Sequence, residues 1–185
     1  MSTSPAFNRQ REDIRVRAAT VEDLPVLGEL AASLVRQHHA YDAKRFVLPR
    51  DVERGYREWF RRELQHADAV LLVAEPATSG DPGPTVLGYL YARMEGRDWN
   101  MLLDRHAALH DNVVVPEARG RGAGEALIRQ LQAIAKERGL PRIVLHSASA
   151  NTGAHRLFAK LGFRPTMVEM TCEVPEPEAS EPTPS

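Results

Sequence analysis

Between Asn112 and Gly139 the chain reads N-VVV-PEA-RGRGAG-EALIRQLQAIAKERG, and no other segment constrains the fold as strongly. Val113, Val114 and Val115 are consecutive β-branched residues suited to a buried strand, which Pro116 ends because it has no N–H to give a ladder. Leu127, Ile128, Leu131, Ile134 and Ala135 then fall on one face at helical spacing. Glu125 stands in the first turn, Lys136 and Arg138 in the last, and Gly139 is the stop. A strand must therefore pass through a short glycine-rich loop directly into an amphipathic helix.

Such a loop suits an anion. The N–H groups of the first helical turn, including those of Ala123 and Glu125, have no carbonyl within the helix, and the helix dipole favours negative charge there. Gly120, Gly122 and Gly124 carry no Cβ to keep phosphate oxygens away, and Arg119 and Arg121 add charge-assisted donors. Two familiar phosphate loops do not fit the spacing. A P-loop needs Gly-Lys-Ser/Thr at its end, and a dinucleotide fingerprint beginning at Gly120 would need glycine where the chain has Glu125.

Arg119-x-x-Gly122-x-Gly124 resembles the Arg/Gln-x-x-Gly-x-Gly/Ala signature of the GNAT superfamily, the acyl-CoA-dependent N-acyltransferases. Residues 142–163, RIVLHSASANTGAHRLFAKLGF, are similar to that family's second hallmark: a strand, an asparagine, a helix and an aromatic-x-x-x-Gly-Phe ending. The resemblance covers roughly residues 12–174. It implies an α/β (α+β) fold in the order βααβββαβαβ, a mixed and strongly twisted sheet of six to seven strands flanked by about four helices.

The remaining patterns agree with that order. Ile14 to Ala18 reads as a strand, and Thr20 or Asp23 can cap a helix carrying Leu24, Leu27, Leu30, Leu34 and Val35. Asp51 to His66 places Val52, Tyr56, Trp59, Phe60 and Leu64 on one stripe. Strands are expected near Ala69–Ala74 and Thr85–Met94, joined by the hairpin connection PATSGDPGP, and a fourth over His106–Val115. A fifth spans Ile143–His146, a helix follows over Thr152–Leu161, and a last strand lies near Met167–Val174. Residues 1–12 read as a flexible leader, 13–174 as one domain, and 175–185 as a disordered acidic tail.

Composition bounds the partners. A formal net charge of −1 gives no global attraction to nucleic acid or an anionic membrane, and no apolar run approaches the length of a bilayer span. The start, MSTSPAFNRQRED, is too polar for a signal peptide, and the lone Cys172 makes no internal disulfide framework. Cytoplasmic residence is the expectation.

The resemblance assigns roles to particular residues. In the family the fourth and fifth strands splay, the pantetheine arm of acetyl-CoA lies in the V between them, and backbone groups of the fourth strand, here Val113 to Val115, bond it like an added strand. Asn151 occupies the position of an asparagine that often contacts the cofactor, although it reads equally well as a helix cap. The backbone N–H near Val114 is the implied oxyanion donor. Many relatives protonate the departing thiolate with a tyrosine at the head of the aromatic-x-x-x-Gly-Phe motif. Here that residue is Phe158, which can pack against the sulfur but cannot donate a proton. Homodimers are frequent in the family.

An amine attacks a thioester only after losing its proton, so a base is required. The dipeptide before the apolar run of the fourth strand is His110-Asp111, and either can serve, Asp111 pointing to the opposite face unless a bulge intervenes. Glu95 and His146 are weaker candidates. His106 and His110 share a strand face by spacing, but no third metal ligand is recognisable and no metal is expected. In the family the acceptor is held by the first two helices and their connection, RQHHAYDAKRFVLPRD. Residues 36–62 contain eight Lys or Arg against four Asp or Glu, which would favour an amine that also bears a carboxylate. The expected activity is acetyl transfer from acetyl-CoA to a primary amine of a small molecule or peptide, with a longer acyl group or a non-catalytic acyl-CoA-binding module as alternatives.

Overall fold

The computed structural model describes residues 14–77 and 85–174. The expected flexible leader, most of the hairpin connection and the acidic tail lie outside the described residues. Five strands, β1 (Ile14–Ala18), β2 (Ala69–Pro76), β3 (Gly88–Glu95), β4 (His106–Val114) and β5 (Ile143–Leu145), form one sheet in sequential order. The first three pairings are antiparallel and β4 runs parallel to β5. Four helices accompany them: α1 (Leu24–Tyr41), α2 (Val52–Glu63), α3 (Ala123–Glu137) and α4 (Thr152–Lys160). None of these is long and apolar enough to cross a membrane.

Alternation along the strands divides the core into two layers. Leu71, Val73, Tyr89, Tyr91 and Val113 meet Leu24, Leu27, Ala31 and Phe60 of α1 and α2 on one face. Val70, Leu72, Ala74, Leu90, Ala92 and Leu109 meet Leu127, Ile128 and Leu131 of α3 on the other, where Leu157 and Phe158 of α4 also pack. The apolar stripes read from the sequence are thus the buried faces.

The entry to α1 is fixed by Asp23, whose carboxylate accepts from the Thr20 N–H at 2.8 Å and from both terminal nitrogens of Arg17 at 2.7 and 2.8 Å. Those bonds hold its pKa below the ordinary carboxylate value. The helix then continues through Arg36–Tyr41, residues expected to belong to the connection. Nothing in that stretch breaks it until Asp42, which turns the chain by accepting the N–H groups of Lys44 and Arg45 at 3.0 and 3.2 Å.

Two expectations for the sheet are corrected. It has five strands among the described residues, not six to seven, and the last strand near Met167–Val174 is absent, residues 163–174 being irregular. Val168, Met170, Cys172 and Val174 alternate well enough to suggest a strand, yet all four are exposed. A strand needs a neighbour to receive its hydrogen bonds, and β5 is only three residues long.

Gly88 is set by contact with the site strand: a Cβ there would lie 2.2 Å from the Val113 carbonyl oxygen. Gly88→Ala is therefore expected to push β3 from β4 and destabilise the fold by about 2 kcal/mol or more. A lowered urea midpoint at unchanged slope would show this.

Candidate active site

Strands β4 and β5 pair over only Ala107/Ile143, Ala108/Val144 and Leu109/Leu145. Beyond Leu109 the two chains part, leaving a cleft walled by His110 and Asn112 of β4, His146 and Ser147 after β5, Asn151 and Phe158 at α4, and Leu34 and His38 of α1. The groups that face this opening follow from strand geometry. Val115 gives its N–H to Leu87 on the β3 side at 2.9 Å, so by alternation Val113 also turns toward β3, whereas Asn112 and Val114 turn their backbone groups toward the cleft. Consistent with this, the Val114 carbonyl accepts from Arg119 Nε at 3.3 Å. Of the three valines, only Val114 offers its main chain to the V.

At one end of the cleft stands the glycine loop. Gly120 and Gly122 have φ of 77° and 110°, conformations that side chains rarely adopt, and Gly122 is the residue from which α3 starts. The first bond closing the helix is Ala126 N–H to Gly122 O, which leaves the amides of Ala123, Gly124 and Glu125 pointing out of its N-terminus. Gly124 has a different reason for lacking Cβ. A methyl there would press Leu157 at 3.3 Å and Asn112 and Val114 at 3.4 Å, so this glycine lets α3 sit on the sheet. The Glu125 carboxylate is taken by Arg129 and Lys160, which lower its pKa, Lys160 contributing most; only its main chain remains available to a ligand. Arg121 reaches back to the Glu117 carbonyl at 3.5 Å.

Further along the cleft a β-bulge settles a question the sequence left open. The register steps from Tyr91/Asp111 to Ala92/Leu109, so His110 is the extra residue, and both His110 and Asp111 turn to the α1/α2 face. The imidazole stacks on Tyr91, ring centroids 5.3 Å apart, and Tyr91 is held from behind by its hydrogen bond to buried Glu63 at 2.7 Å. Glu95 approaches His110 at 3.9 Å and His106 at 3.6 Å. With a side chain 44% exposed, His110 can meet a substrate. Partial burial lowers its pKa, with the charges of Arg93 and His146 acting in the same direction and Glu95 opposing.

Asp111 is different, being only 8% exposed. Its carboxylate accepts from Tyr89 Oη at 2.9 Å, and burial raises its pKa to about 6 against the pull of that bond and of His38. A carboxyl that titrates near neutrality beside a cleft is a recurrent mark of function. Asn151 Oδ1 caps α4 by accepting the Ala154 N–H at 3.2 Å, and Phe158 lies against Phe163 at 5.6 Å. No group of three or more His, Cys, Asp or Glu among the described residues is placed to hold a metal.

Asn112 was not legible as a site residue. Its Nδ2 points to the Gly124 carbonyl at 3.5 Å, while its buried Oδ1 has no donor among the described residues. A buried acceptor without a partner costs about 1–3 kcal/mol, and an amide-bearing ligand in the V is the kind of group that would satisfy it. His38 was missed as well, since only the length of α1 carries it to the cleft.

The chain matches the model of the acetyltransferase (GNAT) family over residues 35–163, more than half its length. It belongs to that family. It is accordingly an acyltransferase, of a family that uses acetyl-CoA. A glucosamine 6-phosphate N-acetyltransferase of rice is 29% identical over 168 residues, covering 80% of this chain and 96% of the rice protein. An uncharacterized N-acetyltransferase of Bacillus subtilis, YobR, is 39% identical over 64 residues, 35% of this chain and only 26% of that protein's length. A predicted acetyltransferase of Clostridium acetobutylicum, solved with acetyl-CoA, shares the fold at 18% identity and a TM-score of 0.60, covering 86% of this chain and 96% of that one.

Proposed function

We propose that this GNAT protein transfers an acetyl group from acetyl-CoA to a primary amine of a small molecule or peptide, by direct attack in a ternary complex. The observation that carries the reading is the unpaired edge of β4 beyond Leu109, with exposed helix amides at one end and His110 at the other. The residues present fit an acyl-CoA. The amides of 123–125 with Arg119 and Arg121 would take the pyrophosphate, and Val114 and the orphaned Asn112 Oδ1 would take the amides of the pantetheine arm. When bound, that co-substrate supplies a thioester carbonyl whose carbon the amine attacks and whose thiolate departs.

The chain's own residues divide the remaining work. His110, open to the cleft and with its pKa lowered, is neutral at physiological pH and accepts the amine proton directly or through water. The Val114 N–H stabilises the developing oxyanion. Phe158 packs beside the thiol without donating to it, and a CoA thiolate, with a pKa of about 8.5, leaves without an obligatory acid. Thiol release from acetyl-CoA on a panel of amines tests the activity; binding of acetyl-CoA with no turnover on any amine would overturn it.

The base carries its own prediction. The acid limb of kcat/KM should rise below pH 6.5, and His110→Ala should lower kcat/KM by about 10²-fold and shift that limb, while the dissociation constant of acetyl-CoA stays unchanged. An unaltered profile would transfer the role to Asp111 or water.

A further inference from the structure

A second recess lies beside the cleft, between α1 and α2. Val35, Val52, Tyr56 and Trp59 wall it, Val47 and Pro49 rim it, and it opens to solvent, with a volume of about 350 Å³. A dry cavity of about 150 Å³ is enough to hold benzene, so this one has room for an aromatic ring with part of a linker. Its surface is almost entirely carbon. The carboxylate of Asp51, at the mouth, is paired with Arg54 at 2.8 Å.

Two features distinguish the recess from a packing fault. Val47, on its rim, is 77% exposed, and nothing among the described residues covers it. Its wall also packs, through Tyr91, against the site described above. Trp59 meets Tyr91 edge-on at 4.8 Å, and Tyr91 stacks on His110 at 5.3 Å, so indole and imidazole centroids are no more than about 10 Å apart. Burial, with the charge of Asp111 adding to it, pushes up the pKa of the Tyr56 phenol on the same wall.

We propose that this recess seats an apolar, aromatic-sized group of the acceptor, whose amine then reaches toward His110. The inference rests on the acetyl-transfer reading and narrows its substrate class to a primary amine on a hydrophobic body. A sugar phosphate such as the one in the rice relative's name has no apolar group to bury there, and the lining holds no Lys or Arg to pair with a phosphate.

The test pairs ω-phenylalkylamines of two to five methylenes with n-alkylamines of the same linker, assayed by thiol release from acetyl-CoA. The aryl members are expected to exceed their alkyl partners in kcat/KM at least tenfold, with an optimum in linker length. Gly55→Phe supplies the second arm. Gly55 lines the recess, and a Cβ added there meets nothing within 4 Å, so a ring can be attached at the recess's wall without a backbone clash while the helix gains a better former than glycine. The aryl-to-alkyl ratio within this variant should fall toward one. Independently of turnover, 4-phenylbutylamine alone should change Trp59 fluorescence in a Trp99→Phe background, and Gly55→Phe should abolish the response. Equal rates for both series, or a preference that survives Gly55→Phe, overturns the proposal. Absence of turnover with every amine would instead overturn acetyl transfer, and the fluorescence titration would still decide whether the recess takes an aromatic amine.

Discussion

Gly122→Asp is expected to weaken acetyl-CoA binding by at least about 100-fold while leaving the fold nearly as stable as the parent. The residue has φ of 110° and marks the start of α3, so an introduced carboxylate would stand where the amides of Ala123, Gly124 and Glu125 converge. It would satisfy those donors from within the chain and repel the pyrophosphate; a hundredfold corresponds to about 2.8 kcal/mol. Stability is pulled both ways. A side chain at this φ is strained by about 1–2 kcal/mol, whereas aspartate is among the best residues for capping a helix. A Cβ at this position would meet only Ile14 Cδ1, at 3.6 Å. Gly122→Ala carries the strain without the charge and should lose much less affinity. Calorimetric titration with acetyl-CoA measures both variants, and unchanged affinity in Gly122→Asp would remove the pyrophosphate from this loop.

Asp111→Asn should stabilise the protein at pH 8. Burial raises the Asp111 pKa from 3.8 to about 6, so the folded state holds its proton more tightly than the unfolded state does. The sign follows from linkage: wild-type stability falls as pH rises from about 4 to about 6, and the cost of ionising the buried carboxyl is fully present above that window. Each pH interval of one is worth about 1.4 kcal/mol, so the cost approaches about 3 kcal/mol. Asparagine still accepts from Tyr89 Oη but has no charge to bury. The midpoint of thermal unfolding should rise by about 6–12 °C at pH 8, and the two proteins should converge near pH 4. Because the variant keeps the Tyr89 bond, kcat measured on the same amine tests whether the carboxylate acts beyond that bond. Equal melting at pH 8 would show that Asp111 is not ionised at a cost there; full activity in the variant would leave it a structural partner of Tyr89.

Much of this was legible from local pattern. The strand, glycine loop and helix around residues 113–139 combine β-branching, missing Cβ atoms and a 3.6-residue apolar period within one continuous stretch, and short-range chemistry of that kind needs no knowledge of the rest of the chain. The helices and all five strands followed for the same reason, and the family from the resemblance of residues 119–124 and 142–163 to its two motifs. What local pattern could not carry is anything that depends on a partner. The residues near Met167–Val174 alternate like a strand but have no long edge to join, and α1 outran its apolar period because only a turn at Asp42, not a change of pattern, ends it.

The site divides in the same way. That His110 and Asp111 precede the valines is a matter of sequence. That one bulge turns both to the α1/α2 face, leaving the imidazole on Tyr91 and burying the carboxyl against Tyr89, is set by the register with β3, a strand some twenty residues away. Gly124 shows the limit most directly, since a glycine placed for phosphate and one placed to let a helix meet a sheet are identical in sequence. Asn112 and His38 acquire meaning only where β4 leaves β5 and α1 passes over the gap. The sequence by itself determined which residue types could bind an anion and accept a proton; tertiary packing decided which of them share one cleft, because burial and hydrogen-bond partners come from elements far apart in the chain.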